Sequence, residues 1–188
     1  MLRIIAGQYK GRKLKVPSGA TRPTADRVRE AVMSIIGPKV LGARVLDPTA
    51  GSGALGLEAL SRGASWVVLG DRSAQAAKVI LENLALINDP KIIFKKTVLL
   101  KDFDKLLALG PFDLIFLDPP YKEISWPREF LSRAAKEDLA APEALAVWEQ
   151  EPETLKTWTQ EDLKPWQLVT ARTWGQRAAA FFFLNQEK

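Results

Sequence analysis

The 188-residue sequence contains no cysteine and no histidine. Without cysteine there is no disulfide framework, no Cys-rich zinc cluster, no thiolate nucleophile and no C-x-x-C redox site. Without histidine there is no Ser-His-Asp triad, no H-E-x-x-H metal helix and no imidazole proton shuttle, so no metal site is expected. Any catalysis must draw on carboxylates, hydroxyls, backbone groups, Lys, Arg or a borrowed cofactor. Long apolar runs are absent too: none approaches the ~20 residues of a membrane span, and the start Met-Leu-Arg-Ile-Ile-Ala-Gly lacks the apolar core of a signal peptide. The expected location is the cytoplasm, with no membrane partner. What is present is ordinary for a soluble globular chain: 47% hydrophobic and 26% charged residues, at a length that suits one domain.

The formal net charge is +5, and its distribution is uneven. Residues 1–30 hold eight basic side chains (Arg3, Lys10, Arg12, Lys13, Lys15, Arg22, Arg27, Arg29) against Asp26 and Glu30, a local +6, which leaves the other 158 residues at −1. A near-neutral body with a basic N-terminal segment is the asymmetry expected of a domain that reaches for phosphate backbones. A solubilising basic surface is the plainer alternative.

Leu2 to Ile5 and Lys10 to Val16 read as two short strands around Gly7 and Gly11, a basic hairpin appended to the domain. Thr24 can cap a helix whose apolar positions Val28, Val32, Ile35 and Ile36 form one stripe, ended by Gly37-Pro38. From residue 43 short apolar strands alternate with helices. The strand candidates are 43–46, 66–69, 92–94, 114–117, 144–148, 167–170 and 178–184; the helices are 54–61, a Ser73-capped one stopped at Asn88-Asp89-Pro90, about 101–109, and 127–139. This succession implies an α/β fold, a mostly parallel seven-stranded sheet with helices on both faces. The last two strands are joined only by a short turn through Gly175 and should pair antiparallel at one edge. The expected organisation is one domain, residues 1–188, with 1–20 as the hairpin extension and 21–188 as the α/β core.

The first core strand runs into Asp47-Pro48-Thr49-Ala50-Gly51-Ser52-Gly53-Ala54-Leu55-Gly56. Gly51, Gly53 and Gly56 satisfy G-x-G-x-x-G, and Asp71 follows Gly51 by 20 positions at the end of the second strand, the pattern of a dinucleotide site. Two details argue against a nicotinamide or flavin nucleotide: Asp47 and three more residues precede the first glycine, and an acidic residue there would repel a pyrophosphate. It suits a ligand with an ammonium and a sulfonium, such as S-adenosylmethionine. Asp47 would face the amino group, Asp71 the ribose hydroxyls, and the glycines would let backbone approach the methionine portion.

A second acidic motif closes a later strand. Phe112 to Leu117 ends in Asp118-Pro119-Pro120-Tyr121, where two prolines force the chain out of the sheet as a stiff loop. At the carboxyl end of a strand in an α/β sheet, such a loop can hold a planar base with an exocyclic amine. Tyr121 would stack on the ring, and Asp118 with the Pro119 or Pro120 carbonyl would accept the two N–H hydrogens. Acceptors placed for a tetrahedral nitrogen free its lone pair for attack, with Asp118 orienting the amine or taking its proton.

Taken together, Arg3-Ile4-Ile5-Ala6-Gly7, Gly11-Arg12-Lys13-Leu14, Arg22-Pro23-Thr24-x-x-Arg27-Val28-Arg29-Glu30-Ala31, the stretch from Asp47 to Ala64 and Asp118-Pro119-Pro120-Tyr121 resemble the bacterial RsmD family of 16S rRNA guanine-N2 methyltransferases. The resemblance covers nearly the whole chain. It implies a Rossmann-like class I fold and transfer of a methyl group from S-adenosylmethionine to the exocyclic N2 of one guanine in 16S rRNA, within an assembled or assembling small subunit; the expected state is a monomer. The expected cofactor contacts are Asp47, Ala50, Gly51, Ser52, Gly53, Asp71 and Arg72, the expected base contacts Asp118, Pro119, Pro120 and Tyr121, and the expected RNA contacts, from the basic N-terminal segment, Arg3, Lys10, Arg12, Lys13, Lys15 and Arg22. Pro48-Thr49 stands where the family usually has Leu-Phe, Asp71 where it has Glu, and Thr97 near the place of an acidic residue that often contacts adenine.

Other readings share parts of this pattern. The same tetrapeptide suits an adenine-N6 methyltransferase, although the short chain has little room for a DNA target-recognition domain. A non-catalytic RNA-binding protein could keep the fold, and a nucleotide-dependent oxidoreductase could keep the glycine loop. Of the six tryptophans, Trp66, Trp148 and Trp166 sit beside apolar strands and read as core, whereas Trp126 falls in a loop near Tyr121, where it could face a substrate.

Overall fold

Alternating buried strands and amphipathic helices account for most of the computed structural model, which describes residues 2–17, 24–97, 99–118, 125–156 and 163–185. Seven strands form one sheet in the order β3-β2-β1-β4-β5-β7-β6, the mostly parallel arrangement expected. The chain divides into two compact units, Met1–Val98 and Leu99–Lys188.

The first unit contains α1 (Thr24–Ile36), β1 (Arg44–Asp47), α2 (Ala54–Ser61), β2 (Trp66–Asp71), α3 (Ala74–Ile87) and β3 (Ile92–Lys96). Val28, Val32, Met33 and Ile36 form the buried stripe of α1, and a 3-10 turn over Gly37–Val40 ends it where Gly37 turns to φ +57°. β1 and β3 each pair with β2 in parallel, with Asp47 level with Leu69 and Asp71 level with Lys96. Val45, Leu46, Val67, Val68 and Leu69 are fully buried, as parallel strands covered on both faces require. Ser73 caps α3 by accepting the Ala76 N–H, and Asn88 closes it in the left-handed region at φ +50°.

The N-terminal hairpin is smaller than expected. A single bridge joins Arg3 to Lys13, supported by Ile4 N–H to Arg12 O, Gly11 N–H to Ile4 O and Leu14 N–H to Leu2 O. Longer strands do not form because helical side chains take the backbone groups that would extend the ladder. The Ile5 and Ala6 N–H groups donate to the buried Glu58 carboxylate of α2, and Tyr9 N–H donates to Ser61 Oγ. Gly7 is required at the tightest approach: at φ +83°, a Cβ there would lie 1.8 Å from the Ser61 carbonyl oxygen. The segment is therefore fastened to α2 and, through Asn83, whose side chain bonds both the N–H and the carbonyl of Lys15, to α3.

The second unit contains a 3-10 turn (Leu99–Asp102), α4 (Phe103–Leu107), β4 (Phe112–Leu117), α5 (Ser125–Lys136), β5 (Ala140–Gln150), α6 (Pro152–Lys156), β6 (Trp166–Trp174) and β7 (Arg177–Leu184). β4 and β5 run parallel, and β7 runs antiparallel to both β5 and β6, with β6 at the edge. The β6–β7 turn is made by Gly175 at φ +63°. β5 begins at Ala140 rather than 144 because the pairing shifts between Phe112 and Leu114 and absorbs Pro142 and Glu143, the latter at φ +64°, as an irregularity. β6 runs past Thr170 because an edge strand needs no apolar alternation. The helix expected over about 101–109 is divided into the 3-10 turn and α4, and α6 was not foreseen.

Phe103, Phe112, Phe116, Phe130, Trp148, Trp166 and Phe181 fill this unit's core. Phe103 meets Phe130 edge to face at 5.4 Å, and Trp166 Nε1 donates to the Leu131 carbonyl at 2.8 Å. Trp148 and Trp166 are thus core residues as read, while Trp66 is half-buried. Trp126 differs from expectation: it lies in the first turn of α5, half-buried, with its ring edge-on to Phe130 at 6.2 Å.

Candidate cofactor and base sites

β1 carries Asp47 to the end of a buried strand, where its side chain is 1% exposed. Neither carboxylate oxygen meets a hydrogen-bond partner among the described residues. Burial, first, and the neighbouring Asp71 raise its pKa to about 7, the backbone N–H groups of Gly56 and Thr49 that face it offsetting only part of the rise. An ionised carboxylate this deep is costly unless a cation or strong donors meet it. A positively charged group placed there would remove that cost.

The glycine loop that follows is held from several sides. Ala50 N–H donates to the Gly70 carbonyl at 2.9 Å, Gly51 N–H to Asp71 Oδ2 at 2.9 Å, and Gly53 N–H to the Ala50 carbonyl at 2.6 Å. The Ser52 carbonyl accepts from Asn83 Nδ2 at 2.9 Å. The three glycines serve different ends. Gly51, at φ +56°, has open space where a Cβ would stand, whereas a Cβ on Gly53 would lie 2.9 Å from Leu69 Cδ1 and one on Gly56 2.4 Å from Leu69 Cδ2. Room for a ligand exists at Gly51; Gly56 lets α2 pack on β2, a role the sequence reading assigned to cofactor approach.

Asp71 braces the loop as well as lining it: besides Gly51, it accepts the Ser73 N–H at 2.8 Å through Oδ1. Each oxygen keeps a further lone pair for a hydroxyl. Arg72 follows it at an exposed position. Thr97 is buried beyond β3, its hydroxyl without a hydrogen-bond partner among the described residues and close enough to Gly70 that a Cβ there would lie 2.7 Å away. The structure therefore brings Asp47, Ala50, Gly51, Ser52, Gly53 and Asp71 into one loop system.

In the second unit Asp118 follows β4 and is half-buried; Pro119, Pro120 and Tyr121 lie outside the described residues. The parallel register of Leu117 with Trp148 puts the end of β5 beside Asp118. There Glu149 is buried and ion-paired with Arg177 of β7; burial raises its pKa while the guanidinium draws it back. Next to it Gln150 is 3% exposed, and neither amide atom has a hydrogen-bond partner among the described residues.

Among the basic residues, Arg3, Lys10, Arg12, Lys13 and Lys15 are exposed on the fastened N-terminal segment, and Arg22 lies outside the described residues. Lys15 is less available than its exposure suggests, since Nζ lies 2.9 Å from the Glu82 carboxylate. Arg29 is buried and donates to the Arg3 carbonyl at 2.7 Å, so part of the counted positive charge is internal. Sequence reasoning missed Glu58, Ser61 and Asn83, polar residues on otherwise apolar helical stripes. That misfit is the signal that could have found them, because a buried polar side chain implies a partner.

The family model described as Conserved hypothetical protein 95 matches residues 2–183. Ribosomal RNA small subunit methyltransferase D of Escherichia coli strain K12 is 42% identical over 123 residues, a stretch covering 64% of this chain and 61% of that protein. The protein of the same name from Haemophilus influenzae is 34% identical over 168 residues, covering 84% of this chain and 85% of its own. The solved structure of the Escherichia coli protein yhhF superposes with a TM-score of 0.81 at 34% identity and covers 98% of both chains.

Proposed function

Since the chain belongs to the Conserved hypothetical protein 95 family, which is the RsmD family of rRNA methyltransferases, we propose that it methylates the exocyclic N2 amine of a guanine in 16S rRNA using S-adenosylmethionine. The observation that carries this reading is Asp47, a buried carboxylate with no charged partner among the described residues, at the start of the glycine loop. A dinucleotide pyrophosphate would be repelled there, and an α-ammonium would supply the missing charge. The sequence departures at Pro48 and Thr49 do not disturb this fit, because Thr49 still offers its backbone N–H toward Asp47.

Bound at this loop, S-adenosylmethionine supplies an electrophilic methyl group. The rest is the work of the chain's own residues. Asp47 holds the ammonium, the backbone of Ala50 to Gly53 lines the methionine portion, and Asp71 accepts ribose hydroxyls while its other lone pairs keep Gly51 and Ser73 in place. Asp118 accepts one N–H of the guanine amine and a carbonyl of Pro119 or Pro120 the other, which leaves the nitrogen lone pair free, and Tyr121 stacks on the base. Arg3, Lys10, Arg12 and Lys13 meet RNA phosphates. In this reading the chain works as a monomeric methyltransferase domain over residues 1–188, in the cytoplasm, on an assembled or assembling small subunit.

The test is to incubate the protein with methyl-labelled cofactor and under-methylated small subunits or free rRNA, then map the label. Label on N2 of one guanine is the expected result; label on an adenine N6, or none, would overturn the assignment. Asp118→Ala should abolish transfer while S-adenosylhomocysteine still binds.

A further inference from the structure

Asn83 stands on the buried stripe of α3 with Ala76, Val79, Ile80 and Ile87, and it is 0% exposed. Its carboxamide is matched three times. Oδ1 accepts the Lys15 N–H at 2.8 Å, while Nδ2 donates to the Lys15 carbonyl at 3.0 Å and to the Ser52 carbonyl at 2.9 Å. The first two bonds take the backbone of Lys15 as a neighbouring strand would. The third enters the glycine loop between Gly51 and Gly53. One planar group thus joins the N-terminal segment to the loop, and the Lys15–Glu82 ion pair adds a side-chain tie from the preceding residue of α3.

We infer that Asn83 is a positioning residue that sets the Ser52–Gly53 peptide for the cofactor and transmits occupancy of the loop to the N-terminal segment. The inference rests on the reading of the glycine loop as the cofactor site. Gly70 and Asp71 of β2 hold the Ala50 and Gly51 N–H groups, and Asn83 holds the Ser52 carbonyl. A ligand against the loop narrows the motion of that carbonyl, which strengthens its bond to Nδ2 and holds the carboxamide against Lys15. Coupling of this kind is reciprocal: RNA that orders the segment bearing Lys10, Arg12 and Lys13 tightens the loop on its cofactor.

Amide hydrogen exchange on the unmodified protein tests the transmission, with S-adenosylhomocysteine as the probe. Saturation should slow exchange at Lys15 and Val16 about fivefold, the low end of ordinary coupling between sites. Asn83→Ala should weaken S-adenosylhomocysteine binding about tenfold, as loss of one oriented hydrogen bond predicts, and remove the response at Lys15. It should raise KM for S-adenosylmethionine with kcat at saturation unchanged. Glu82→Ala should keep the response. Unchanged exchange at Lys15 in the unmodified protein, or unchanged affinity in folded Asn83→Ala, would overturn the inference. An unmodified protein that binds no S-adenosylhomocysteine would instead overturn the cofactor reading, and the role of Asn83 with it.

Discussion

Two buried carboxylates stand at the ends of parallel strands, Asp47 on β1 and Glu149 on β5, and the chain treats them in opposite ways. Burial raises the pKa of both. Glu149 is answered internally by Arg177, whose guanidinium draws its pKa back. No cation among the described residues answers Asp47, and burial together with the neighbouring Asp71 raises its pKa to about 7. A buried charge with a partner belongs to the fold. One left without a partner stores strain that a ligand can relieve, which is how stability is commonly given up at functional sites.

The largest expected effect comes from removing the stored charge. Asp47→Asn should weaken S-adenosylhomocysteine binding by a factor on the order of 100 to 1,000, the cost of losing one partner of a buried ion pair. The same change should raise the melting temperature of the ligand-free protein at pH 8, with stabilisation on the order of 1–4 kcal/mol, because a neutral amide no longer has to be buried ionised. Binding calorimetry and a thermal melt check the two directions together. Lower stability with unaltered affinity would remove the contrast between the two sites.

Breaking the other member of the comparison should do the reverse. Arg177→Met leaves Glu149 buried without its cation and should cost about 3 kcal/mol of stability, read from urea unfolding, while cofactor affinity stays the same. Asp71→Asn is milder. It removes the charge that raises the Asp47 pKa but keeps one carbonyl acceptor for Gly51 or Ser73, so binding should weaken about tenfold. Its pH midpoint should also move down.

The pH dependence has a definite sign. Asp47 titrates near 7 in the native state against an ordinary 3.8, so the folded protein keeps a proton that the unfolded chain releases. Its contribution to ligand-free stability is complete below about pH 4 and is lost as pH rises through 7. Saturating cofactor should flatten that decline, because the bound ammonium favours the ionised carboxylate. Melts from pH 5 to 8 with and without S-adenosylhomocysteine measure both slopes.

Much of this was legible from the residue pattern, for a physical reason. The stretch from Val45 to Ile87 has strong apolar periodicity, an Asp-to-glycine transition and a Ser73 cap, and each local signal agrees with the fold formed. The limits of β5 and β6 were harder to see, because Pro142 and Glu143 are accommodated by an irregular pairing and β6 is an exposed edge. Within the glycine loop, the motif and its spacing pointed to Asp47, Gly51 and Asp71. It did not reveal that Asp71 also braces Gly51 and Ser73, nor that Gly56 serves helix packing. The N-terminal segment looked like a free basic hairpin, since its fastening depends on Glu58, Ser61 and Asn83, more than 50 residues away in sequence.

The most direct test of the unpaired carboxylate is proton release on binding. S-adenosylhomocysteine titrated at pH 6.5 in two buffers of different ionisation enthalpy should release a substantial fraction of one proton from the unmodified protein and none from Asp47→Asn. Binding without proton release, or equal release from both proteins, would contradict the account of Asp47 as a charge held for its ligand.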